Sequence, residues 1–117
     1  MDTILESKAV VGLSFTGSSR SGSILASKAG LHLKRTVMEL GGNDPFVVLK
    51  DGDIDLAITE AVKWRCVNAG QVCTAPKRFI IDETHYEKFR NGLIEGLNNV
   101  KVGDPMDRTT QMGPLAR

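Results

Sequence analysis

The chain has 117 residues, room for one small domain but not for two. Its 15 lysines and arginines stand against 14 acidic residues, so it has neither the basic excess of a nucleic-acid binder nor an acidic solvating tail. With 41% hydrophobic and 25% charged residues it has the make-up of a folded globular protein and not of a disordered one.

The opening MDTILESK carries acidic groups and no signal-type apolar stretch, and runs such as Phe46-Val47-Val48-Leu49 are far too short to span a bilayer. Neither export nor a membrane is expected. Residues 9–15, AVVGLSF, read as a short buried strand that ends at the turn Thr16-Gly17-Ser18. Residues 18–29 follow as a helix with Ser18 or Ser19 as N-cap and Gly30 as C-cap. KRTVMEL (34–40) is a second strand, broken by Gly41-Gly42, and FVVLK (46–50) after Pro45 is a third. Three strands with one helix among them predict an α/β layer.

Asp53 or Asp55 opens the best-defined helix, IDLAITEAVKWRCVNAG. Ile54, Ala57, Ile58, Ala61, Val62, Arg65 and Cys66 fall near helical spacing on one face, and Gly70 ends it. RFIID (78–82) reads as a strand. Residues 84–100 form an amphipathic helix with Thr84 as N-cap and Glu87 completing a capping box. From Lys101 onward, Gly-Asp-Pro and Gly-Pro breakers without periodicity indicate loop.

Cys66 and Cys73 lie seven residues apart, outside any CxxC spacing, and the two histidines are isolated. No metal site is expected, and a reducing cytoplasm suits the two thiols. Cys73 stands between Gly70-Gln71-Val72 and Thr74-Ala75-Pro76. A cysteine on a loop after a helix is a candidate nucleophile, with a small buried packing residue as the alternative. Glu39 closes an apolar strand just before two glycines, where a carboxylate is costly unless it is solvated, paired or functional. Together they are chemically sensible: a thiolate forms a covalent intermediate and a carboxylate activates the water that releases it. Spacing alone does not bring them together. A stand-alone nucleotide-binding module would need a GxGxxG or Walker motif, and neither is present. A cysteine hydrolase would want a histidine base, whereas His32 and His85 read as surface residues.

The segment Met38-Glu39-Leu40-Gly41-Gly42-Asn43-Asp44-Pro45 resembles the glutamate signature of the NAD(P)-dependent aldehyde dehydrogenase family. Asn68-Ala69-Gly70-Gln71-Val72-Cys73-Thr74-Ala75 resembles its cysteine signature, in the family's order and separation. Phe15-Thr16-Gly17-Ser18 is similar to its cofactor-contacting turn, and Gly103-Asp104-Pro105 with Gly113-Pro114-Leu115 to its downstream loop. The likeness runs from about Val10 to Arg117.

The resemblance implies an α/β fragment of a chain several times longer. Residues 1–38 would end the cofactor-binding domain, and 39–117 would begin the catalytic domain. It implies Cys73 as nucleophile, with its backbone N–H in the oxyanion hole, and Glu39 as the base for the hydrolytic water, a task favoured by partial burial. Thr16, Gly17 and Ser18 would contact NAD or NADP, and the Leu40 carbonyl would hold the nicotinamide carboxamide. The substrate would be a small-molecule aldehyde, the full-length enzyme a homodimer or homotetramer, and the 117 residues alone inactive and marginally stable.

Gly-Gln-Val-Cys followed by Lys77-Arg78-Phe79-Ile80 looks like a bacterial branch acting on succinate semialdehyde. Val67, however, stands where some semialdehyde enzymes place an arginine for the distal carboxylate. Cys66 replaces the family's usual aromatic or aliphatic residue and is read as a packing residue, not a redox partner.

Overall fold

The apolar run that ends at Thr16 forms strand β1 (Gly12–Thr16) in the computed structural model, which describes residues 2–116. Arg117, where the resemblance ends, lies outside these residues. Helix α2 (Ser19–Leu31) follows, then strand β2 (Arg35–Glu39), which pairs in parallel with β1 in the register Gly12↔Arg35 to Thr16↔Glu39. The expected strands over 9–15 and 34–40 are thus shorter, and each ends at the glycine-containing turn that follows it. Ser18 is the N-cap, its hydroxyl accepting from the Ser21 N–H at 3.2 Å.

Gly30 does not cap α2. The helix continues to Leu31, His32 caps it, and Leu33 takes the left-handed conformation at φ 52° that a glycine usually fills. The Lys34 N–H reaches the Ala29 carbonyl and the Leu33 N–H reaches that of Gly30, both at 3.0 Å, which satisfies the open end of the helix. A five-residue helix, α1 (Asp2–Glu6), was not expected from the sequence. It packs on α2 through Leu5, which is 1% exposed, and Asp2 bonds the Lys28 ammonium at 2.6 Å.

The chain divides into two compact units, one ending at Gly42 and the other beginning at Asn43. The first therefore includes all of β2, because pairing with β1 runs to Glu39. In the second, strand β3 (Pro45–Val48) pairs in parallel with β4 (Arg78–Ile81), and helix α3 (Ile54–Cys66) makes the crossover. The single layer of three strands expected from the sequence is replaced by two two-stranded parallel sheets, β1-β2 and β3-β4. Each is a β-α-β unit, the connection that parallel strands require.

Alternation along β3 and β4 sends Phe46, Val48, Phe79 and Ile81 to one face, where α3 and helix α4 (Tyr86–Asn98) cover them. Phe46 and Phe79 are register partners with ring centroids 5.5 Å apart, and Phe89 of α4 lies 6.1 and 5.5 Å from them. Ile54 and Ala61 of α3 complete the buried cluster. Gly92 and Gly96 let α4 approach closely: a Cβ on Gly96 would stand 2.4 Å from Val62, and one on Gly92 would stand 2.7 Å from Ile58.

Asp53 is the N-cap of α3, its carboxylate accepting from the Asp55 and Leu56 N–H groups at 3.1 Å. The Thr84–Glu87 capping box does not form. Instead Asp82 accepts from the Thr84 N–H at 3.0 Å and its hydroxyl at 2.6 Å, a 3-10 turn (Glu83–His85) follows, and α4 begins at Tyr86. The last segment carries more order than a plain loop, with Val102 bridged to Met112 and turns closed by Asp104 and Asp107.

Two consequences are measurable. Phe89 is 3% exposed at the centre of the aromatic cluster, so F89A should remove about 3–5 kcal/mol in urea unfolding. A loss below about 1 kcal/mol would contradict its central place. The Thr84 hydroxyl, then its backbone N–H, hold the Asp82 carboxyl below the ordinary aspartate value. A carboxyl whose folded pKa is depressed stabilises the fold above the unfolded pKa and loses that effect as pH falls through the folded one. The thermal midpoint should therefore drop as pH falls below about 4, the ordinary aspartate value, and D82N should drop less. An identical pH dependence in D82N would refute this role.

Candidate active site

Five of the six site residues expected from the sequence lie in the first unit, and the structure joins them through its backbone. Parallel pairing sets Thr16 beside Glu39, and the Gly17 N–H donates to the Glu39 carbonyl at 3.0 Å. A Cβ on Gly17 would lie 2.5 Å from the Phe15 ring, which would have to move aside. Leu40 is half-buried with its side chain against Gly22 in the first turn of α2, where a Cβ would meet it at 2.6 Å. This contact holds the backbone of Leu40 in place, and with it the carbonyl of interest. Glu39 itself is exposed where partial burial was expected, because it is the last paired residue of β2 and the strand leaves the sheet there.

Thr16, Gly17 and Ser18 are exposed at the carboxyl end of β1, where the chain enters α2. The first-turn N–H groups of a helix lack intrahelical partners and attract anions, and crevices at strand carboxyl ends are where α/β folds bind nucleotides. The first turn of α2 holds no acidic residue and carries Arg20, so its charge suits a phosphate-bearing cofactor. These residues fit NAD or NADP.

Cys73 belongs to the second unit and is presented differently. α3 stops at Cys66, four residues before the glycine expected to end it. Asn68, Ala69 and Gly70 then take left-handed backbone at φ 50°, 56° and 75°, reversing the chain. Asparagine tolerates this region, whereas alanine there costs about 1 kcal/mol. The amides of Asn68 and Gln71 each donate to the other's carbonyl at 3.3 Å, and the Gln71 N–H reaches Asn68 O at 3.1 Å. Val72 to Ala75 then close a turn through the Ala75 N–H and the Val72 carbonyl at 3.1 Å, with Cys73 and Thr74 exposed at its tip. Buried Ala75 and Pro76 anchor its far side.

Sequence reasoning missed Arg65. Its half-buried guanidinium donates to the Pro76 carbonyl at 2.9 Å and to the Gly70 carbonyl at 3.4 Å. Helical spacing had grouped it with the apolar face of α3, and only the positively charged head on that face could have signalled a partner. Cys66 is free and half-buried, and it lines a cavity with Val62, Val67 and Val100. His85 is not a plain surface residue: it is half-buried, with Nε2 2.9 Å from the Lys50 carbonyl. Among the described residues no three side chains of His, Cys, Asp or Glu gather in a metal-binding group.

The sequence profile of the aldehyde dehydrogenase family matches residues 1–117. A succinate semialdehyde dehydrogenase [NAD(P)+] of Escherichia coli (strain K12) is 42% identical over 114 residues, covering 97% of this chain and 25% of that protein. A succinate-semialdehyde dehydrogenase [NADP(+)] of Mycobacterium avium is 43% identical over 116 residues, again 25% of its length. Among solved structures, the succinic semialdehyde dehydrogenase of Streptococcus pyogenes in complex with NADP+ superimposes with a TM-score of 0.92 at 42% identity, over 99% of this chain and 26% of that one. A betaine aldehyde dehydrogenase of Staphylococcus aureus in complex with NAD+ gives 0.90 at 32% identity, over 99% and 23%. The chain thus spans about a quarter of the length of the curated relatives it matches.

Proposed function

This chain belongs to the aldehyde dehydrogenase family, and we propose that it carries the nucleophile and the hydrolytic base of an enzyme oxidising an aldehyde to a carboxylic acid with NAD or NADP. The observation that carries the reading is Cys73, exposed at the tip of a turn braced on both sides. The Cys73 thiolate attacks the aldehyde carbon, forming a C–S bond and placing charge on the former carbonyl oxygen. The Cys73 backbone N–H donates one of the hydrogen bonds that stabilise that oxyanion. The cofactor, when bound, supplies the hydride acceptor that turns the thiohemiacetal into a thioester. Glu39 takes a proton from water, the resulting attack breaks the C–S bond, and the carboxylic acid leaves with the thiol restored. Thr16, Gly17 and Ser18 hold the cofactor at the start of α2, and the Leu40 carbonyl orients its carboxamide.

The names of the relatives in Escherichia coli and Mycobacterium avium favour succinate semialdehyde as the substrate. Position 67 is valine, so the cation that receives the distal carboxylate comes from another part of the full enzyme. The two free thiols, Cys66 and Cys73, suit a reducing cytoplasm. We assign the complete enzyme a homodimeric or homotetrameric state. Cofactor-domain residues beyond this quarter are needed, so the 117 residues alone do not turn over.

The test places residues 1–117 into the Escherichia coli relative in place of its matched stretch. The purified 117-residue chain should give no aldehyde-dependent NADPH, and clear production would defeat the inactivity claim. The full-length graft should oxidise succinate semialdehyde. C73A should lower its turnover by at least about 10³-fold. E39Q should slow steady-state turnover by about 10²–10⁴-fold while keeping a stoichiometric burst of NADPH, because acylation precedes the step it serves. A folded, cofactor-binding C73A graft with full activity would overturn the reading.

A further inference from the structure

The segment that presents Cys73 begins at Gly70 and is anchored at Pro76, three residues to either side of the thiol. Both of those carbonyls accept from one side chain. Arg65 Nη1 lies 2.9 Å from Pro76 O and Arg65 Nη2 lies 3.4 Å from Gly70 O. Arg65 stands in the last turn of α3, so the bridge ties the two ends of the loop to a helix and not to another loop. The fit is close enough to dictate the residue at position 70. A Cβ there would fall 2.2 Å from Arg65 Nη2 and 3.0 Å from the Arg65 carbonyl, and the φ of +75° independently calls for glycine. The backbone between helix and turn runs through three consecutive left-handed residues, a conformation that persists only where its surroundings over-determine it.

We propose that Arg65 is a positioning residue for the reaction: its forked guanidinium spans the Gly70 and Pro76 carbonyls and fixes the Val72–Ala75 turn so that the Cys73 thiol is held ready for attack. The inference rests on the reading of Cys73 as the nucleophile. Arg65 touches neither substrate nor cofactor in this role; it acts through the backbone. The requirement is for a planar fork with donors on separate nitrogens. Lysine, a single point charge on a flexible stem, reaches one carbonyl at a time. A misplaced nucleophile slows the chemical step and leaves binding of the aldehyde largely intact.

The experiment uses the full-length graft, with R65M removing the fork at similar length and R65K keeping the charge. The expected result for R65M is a kcat lower by roughly ten- to hundredfold with KM for the aldehyde within about twofold. The Ala75 amide should exchange faster while the amides of Phe79 and Val48 exchange as before, and R65K should recover only part of the loss. R65K also keeps the question open to decision should R65M fold poorly, since its Ala75 exchange and kcat should move together. An R65M enzyme with unchanged kcat, in a graft that C73A silences, defeats the Arg65 inference alone. The same holds if kcat and the Phe79 and Val48 protection fall together in both variants. An active C73A graft defeats the reading of Cys73 and the catalytic role of Arg65 with it.

Discussion

Parallel pairing is the constraint from which the rest of the architecture follows. Two neighbouring strands that point the same way need a long return path, and here each pair is served by one thirteen-residue helix. In the first unit that geometry sets the ends of β1 and β2 side by side, so the turn after β1 and the carboxylate at the end of β2 share one edge. The Gly17 N–H on the Glu39 carbonyl is the direct expression of this. No catalytic requirement had to be invoked to bring the expected cofactor turn beside the expected base.

In the second unit the crossover helix does further service. α3 covers the aromatic face of β3 and β4, receives α4 through the Gly92 and Gly96 contacts, and ends where the left-handed turn begins. Arg65 leaves the last turn of that same helix. The site loop is therefore an extension of the packed core, and the half-buried guanidinium is the link between them.

Much of this was legible in the residues. The four strands and three longer helices were visible in apolar periodicity, and Ser18 and Asp53 in their capping chemistry. The motifs around Glu39 and Cys73 pointed to the family. What escaped was decided by tertiary or fine local geometry. Gly30 reads as a helix stop, yet the cap falls two residues later at His32, and Leu33, 93% exposed, takes the left-handed position where the closing hydrogen bonds form. Thr84 and Glu87 matched a capping box, but Asp82 captured the threonine first. Val67-Asn68-Ala69 carries no breaker, so the helix seemed to run on to Gly70; the side-chain bonds of Asn68, Gln71 and Arg65 make the reversal, and none of them is local periodicity. The half-buried glutamate expected at position 39 was an inference from chemistry, and the strand end where it sits is open to solvent.

The sheet of β3 and β4 has an unusual bearing on strand alignment. Its covered face holds Phe46, Val48, Phe79 and Ile81, but its other face also carries apolar side chains, Val47 at 54% and Ile80 at 51% exposure. In most half-covered sheets, a slip by one residue would expose the greasy set and bury the polar one, and that penalty polices alignment. Here a slip of β4 would carry Ile80 onto the covered face together with Arg78, so only that arginine opposes it on grounds of polarity. Shape supplies the rest: only the Phe46–Phe79 pair offers rings that the Phe89 ring can meet at both centroids. Fidelity of strand alignment in this unit thus leans, beside the charge of Arg78, on a residue on neither strand, the Phe89 that α4 contributes.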